Sequence, residues 1–120
     1  MKRVYIVYPY FYDTLSRYNT IHHLFCSINE RQRNKIFISI DLKMFHHSAE
    51  TFYQKDIQVH DNSLCFKDDF KTNVYVAKIE NGTMLFNEMD NPFYLLLKRL
   101  YRYLIVEEVE NLEKGIVKSH

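Results

Sequence analysis

The sequence predicts an α+β fold: a mostly antiparallel sheet of five to six strands with two main helices, the longer one C-terminal. Three observations predict it. Apolar, β-rich runs flank Asp61-Asn62 and Asn81-Gly82, and these dipeptides tolerate the positive φ of a tight hairpin turn. From position 91 to 115 apolar residues recur at helical spacing. The 120 residues include only two Gly and two Pro, which leaves no flexible linker and fits a single globular domain, 1–120, around one core.

Residues 3–8 open the chain as a strand. Val4, Ile6 and Tyr8 fall on one face and Tyr5 and Val7 on the other, the pattern of an inner strand covered on both sides. Pro9 ends it, because proline cannot donate to a ladder. Tyr10, Phe11 and Tyr12 lead to Asp13, the expected N-cap of a helix over 14–29 whose buried stripe is Tyr18, Ile21, Phe25 and Ile28. A polar loop carrying Arg31, Arg33 and Lys35 follows. Residues 35–41 then read as a second strand, with Ile36, Ile38 and Ile40 on one face. A strand–helix–strand order permits a parallel pair with a right-handed crossover. Residues 42–55 are ambiguous, although Ser48 could cap a short helix through Phe52 and Tyr53. Two hairpins follow, 57–60 with 63–66 and 73–80 with 83–86, joined by the charged connection Lys67, Asp68, Asp69 and Lys71.

The last helix is expected over 92–114. Asn91 can accept a free N–H of the first turn, Pro92 loses nothing at the first helical position, and Gly115 suits the residue after the last turn. About 23 residues would span roughly 35 Å. Phe93, Leu96, Leu97, Leu100 and Leu104 form a stripe for the protein's own core, which gives way to Glu107, Glu108 and Asn111. A second stripe holds Tyr94, Tyr101, Ile105, Val109, Leu112 and Ile116. Either the helix bends so that both stripes pack on one core, or it projects and buries the second against another chain. On the projecting reading, Tyr101, Ile105, Val109, Leu112 and Ile116 are the partner-binding residues.

The remaining composition narrows the function classes. A net charge of +1 argues against a dedicated DNA-coating protein. Two cysteines, Cys26 and Cys65, are too few for a disulfide scaffold, so a cytoplasmic location with reduced thiols is expected. Met1-Lys2-Arg3 is not followed by the pattern of a cleavable leader, and no apolar run approaches a membrane span. The histidines come as the adjacent pairs His22-His23 and His46-His47, plus His60 and His120. Adjacent side chains diverge, so each pair offers at most one ligand to a site, and no metal or other cofactor is expected. Asp41, Asp56, Asp61, Asp68 and Asp69 lie at strand ends and loops, without the spaced Glu-x-Lys of a metal-dependent nuclease. There is no nucleophile elbow, P-loop or dinucleotide fingerprint. Cys26 and His22 stand four apart on one predicted helix, close in space but without an obvious orienting acid. Arg31, Arg33, Lys98, Arg99 and Arg102, the last three beside Tyr101 and Tyr103, are compatible with single-stranded nucleic acid.

The size, the scarcity of Gly and Pro, and Lys-, Asn-, Ile- and Tyr-rich text such as Asn73-Val-Tyr-Val-Ala-Lys-Ile-Glu-Asn-Gly82 resemble the small accessory proteins of temperate phages of Gram-positive bacteria. That resemblance spans the whole chain in style and carries no motif. It implies a stoichiometric effector that binds a host or phage protein, in defence, toxin–antitoxin or lysis–lysogeny control. The expectation is therefore a non-enzymatic interaction module, binding another protein or itself as a homodimer. A nucleic-acid-binding regulator and a small metal-dependent enzyme are the alternatives.

Overall fold

In the computed structural model, residues 1–68 and 73–109 are described. They form an α+β fold whose antiparallel sheet has seven strands. The order is β1 (Lys2–Val7), α1 (Pro9–Leu15), α2 (Ile21–Ser27), α3 (Glu30–Ile36), β2 (Phe37–Ile38), α4 (Leu42–Tyr53), β3 (Gln58–His60), β4 (Ser63–Lys67), β5 (Val74–Glu80), β6 (Thr83–Phe86), α5 (Pro92–Leu100) and β7 (Leu104–Glu108).

β1 is the inner strand its two apolar faces predict. One edge pairs with β7 from Lys2↔Glu108 to Ile6↔Leu104. The other is shared end to end, by β6 over Lys2–Val4 and by β2 over Ile6–Val7. β6, β5, β4 and β3 then continue the sheet through two hairpins. Both turns form where expected, with positive φ at Asp61, Asn62, Asn81 and Gly82. Gly82 is also sterically required, because a Cβ there would collide with the Ser39 side chain.

Even-numbered β1 residues face one core, in which Val4 and Ile6 meet Met84, Phe86, Leu64 and the inner sides of α4 and α5. Odd-numbered ones face a second core, in which Tyr5, Val7 and Phe37 meet Leu15, Ile21 and Phe25 of α1 and α2. The sheet is thus the middle layer of the molecule. Asn91 caps α5 as its side-chain chemistry requires. Its Oδ1 accepts from the Phe93 N–H at 2.9 Å, and its Nδ2 donates to the Val76 carbonyl at 3.0 Å, which anchors the helix to β5.

Several sequence expectations are corrected. The C-terminal helix 92–114 stops at Leu100; Tyr101 is extended, and β7 follows. Ile105 and Val109 are spaced by four, which suits one side of a helix and equally one side of a strand, whereas Tyr101 precedes the strand and packs on the opposite core from Ile105. The vacant edge of β1 selects the strand. Residues beyond 109, including Leu112 and Ile116, lie outside those described. The helix 14–29 is two helices: α1 begins at Pro9, Asp13 lies inside it, and α2 begins at Ile21. Tyr18, expected to be buried, is 56% exposed. Residues 30–36 are helical rather than loop and strand. Asn29 and Gln32 form a reciprocal capping box there, a local signal present in the sequence. β2 keeps only two residues and runs antiparallel to β1, not parallel. Residues 42–53 form one full helix, capped by Asp41 and not by Ser48.

Candidate interaction surface

Of the expected partner-binding residues, the described ones, Tyr101, Ile105 and Val109, are half-buried within the subunit, and Leu112 and Ile116 lie outside the described residues. Tyr101 is half-buried against the core beneath α5. Ile105 lies opposite Tyr5 and packs on the second core. The Val109 N–H donates to the Met1 carbonyl at 2.8 Å. Among the described residues no projecting helix presents these three side chains.

The basic residues do not converge either. Arg31 and Arg33 sit on α3, on the Tyr5 side of the sheet, whereas Lys98 and Arg99 sit on α5, on the Val4 side. Arg33 lies over the Phe25 ring at 5.2 Å, Arg99 over Phe52 at 5.0 Å, Lys98 over Tyr94 at 5.7 Å and Arg102 over Tyr103 at 5.8 Å. These cations already stack on the protein's own rings, and the sheet separates the two groups.

Cys26 and His22 do meet: Sγ is 3.6 Å from Nε2 and 3.8 Å from Nδ1. Burial, then the nearby Arg3 charge, lowers the pKa of His22 below the ordinary imidazole value. The neighbouring carboxylate, Glu107, is committed elsewhere. It accepts from the backbone N–H groups of Ile21 and His22 and from the Tyr5 hydroxyl, the latter at 3.5 Å. Glu107 therefore caps α2 from a strand 85 residues away in sequence, and it orients peptide groups rather than the imidazole. Burial and this carboxylate together raise the Tyr5 pKa well above the usual phenol range. The acids have local partners too. Asp41 caps α4, and Asp61 pairs with His60 at 3.3 Å in the turn; Asp69 lies outside the described residues.

A different surface emerges from the register. Arg3 and Tyr5 share a face, and the pairings carry that face across the sheet in rows: Arg3, Leu85, Lys78, Ser63 and His60, then Val76, Cys65 and Gln58, then Val74 and Lys67. Helices cover only the Tyr5 end. Among the described residues no helix lies over the β3–β5 end. There Val74 is 54% and Val76 47% exposed, with half-buried Cys65 and Leu85 beside them. Solvent-facing strand positions are ordinarily polar, so two adjacent valines depart from the pattern. Arg3 marks the border. It is buried, and donates to Thr83 Oγ1 at 2.7 Å and Glu80 Oε1 at 3.3 Å; its Nε has no hydrogen-bond partner. The sequence carried a signal for this patch, since Val74, Tyr75, Val76 and Ala77 are apolar on both faces of one strand.

No protein-family model, curated protein or solved structure matches the chain. Among the described residues no helix is long and apolar enough to cross a membrane.

Proposed function

We propose that this chain is a non-enzymatic protein–protein interaction module: a cytoplasmic effector or regulator, of the phage accessory kind, that binds and modulates a host or phage protein. Its docking surface is the uncovered half of the sheet, centred on Val74 and Val76. The observation that carries this reading is the placement of two valines at solvent-facing positions of β5, where about half of each side chain stays in solvent. Apolar surface kept exposed in a small fold marks contact sites.

The test is affinity capture from the native host with the wild-type chain and with Val74→Lys/Val76→Lys, both shown to be folded by circular dichroism. The wild type is expected to retain a stoichiometric protein that the variant loses. A partner retained equally by both would move the contact surface elsewhere.

A further inference from the structure

We infer that the open half-face receives an acidic amphipathic helix from the partner protein. This rests on the reading above and names the chemistry of the contact. The patch has an apolar centre, Val76 beside Cys65, with Leu85 and Val74 next to it, and a cation at either side. Lys67 stands opposite Val74, and Lys78 lies four residues further along β5. Strand geometry separates their Cα atoms by about 14 Å, while a helix with its side chains is about 10–12 Å across. A helix laid across the strands over Val76 and Cys65 therefore has one lysine on each flank.

Cations outnumber carboxylates around the patch: Arg3, Lys55, Lys67 and Lys78 stand against Glu80 and Asp56. Lys67 and Lys78 are exposed. Glu80, one pair beyond these rows opposite Thr83, is shared between buried Arg3 at 3.3 Å and Lys78 at 3.5 Å, and exposed Asp56 lines the cleft beside Lys67. His60 is paired with Asp61 in the turn beyond. Glutamates flanking a partner's apolar stripe complement this arrangement. At the Lys67 side a cleft of about 400 Å³ has Cys65, Phe66 and Val74 in its wall and the charged Lys55, Asp56 and Lys67 around them, which suits a side chain of that stripe with an apolar stem.

Other occupants fit less well. Single-stranded nucleic acid would also answer the lysines, but it stacks on aromatic rings, and the exposed apolar residues here are aliphatic. A second copy would set Lys67 and Lys78 against their own kind. It would also bury only roughly 300 Å² per partner over a patch of four strands, where a stable dimer needs about 800 Å².

The test uses Cys65 as a reporter in a Cys26→Ser background. Iodoacetamide labelling of Cys65 is followed with an 18-residue Leu/Glu amphipathic peptide, its Leu/Lys counterpart, or a single-stranded oligonucleotide. The acidic peptide is expected to slow labelling at least tenfold and the basic one to leave it unchanged. Lys67→Glu/Lys78→Glu should reverse the preference. Equal protection by both peptides, no protection by the acidic one, protection by the oligonucleotide alone, or protection that rises with the protein's own concentration overturns the inference. In host capture, a partner lost with Val74→Lys/Val76→Lys but kept with Lys67→Glu/Lys78→Glu removes the acidic helix and leaves the interaction module standing.

Discussion

One face of the sheet behaves as two different regions. At the β1 end, Tyr5, Val7 and Phe37 are sealed by α1 and α2, and Tyr5, Phe25 and Phe37 meet ring to ring at 5.4–5.5 Å. At the β3–β5 end, the same face of the same sheet leaves Val74, Val76, Lys78 and Gln58 open to solvent. Strand chemistry does not separate the two ends, because valine stands in both. What separates them is where the chain lays its helices. Val7 in the covered half contributes to folding by about 1.5–3 kcal/mol for full burial. Valines in the open half return little of that to the monomer, which is why they read as contact residues.

The sharpest way to break the comparison is to truncate a side chain in the covered half. Phe25→Ala should destabilise by about 3–5 kcal/mol in urea unfolding, since Phe25 touches Tyr5 and Phe37 and is 3% exposed. A loss below about 1 kcal/mol would mean that the half is less sealed than its geometry says.

Next in size is the carboxylate that ties β7 to α2. Glu107→Ala strips an acceptor from the Ile21 and His22 N–H groups and is expected to cost about 1–3 kcal/mol. Glu107→Gln keeps an acceptor and should recover part of that loss. Equal unfolding midpoints for Ala and Gln would show that neither the bulk nor a neutral acceptor contributes there, which leaves the negative charge alone.

In the open half the expectation is near silence. Val76→Lys should change stability by no more than about 0.5 kcal/mol, because the residue is 47% exposed. A large loss would put Val76 in the core and remove the contrast between the halves.

The smallest effect concerns pH. His22 has a lowered pKa in the folded chain, so the unfolded chain binds the proton first as pH falls. Stability tied to neutral His22 is complete above its unfolded value of about 6.5 and is lost as pH drops through the folded value. His22→Asn should therefore flatten the fall in urea midpoint between about pH 7 and pH 5. An unaltered slope would assign that fall to other groups.

Local chemistry made much of the fold legible. Asn91 followed by Pro92 marks a helix start from its own residues, and Asn81-Gly82 and Asp61-Asn62 mark their turns for the same reason. The Asn29–Gln32 capping box is equally local, but the charges around it have the composition of a loop. The candidate site divides similarly. The apolar run on β5 is visible in the sequence, whereas its exposure depends on which strands the helices leave bare.

The sequence by itself determined the α+β class, the antiparallel hairpins, the inner character of β1 and the start of α5, because turn dihedrals, caps and alternation act within a few residues. Tertiary structure alone decided that residues 104–108 become a strand, that α2 begins at Ile21 beneath a distant carboxylate, and that, among the described residues, no helix lies over half of one sheet face. A spacing of four residues serves helix and strand alike, and only the vacant edge of β1 distinguishes them.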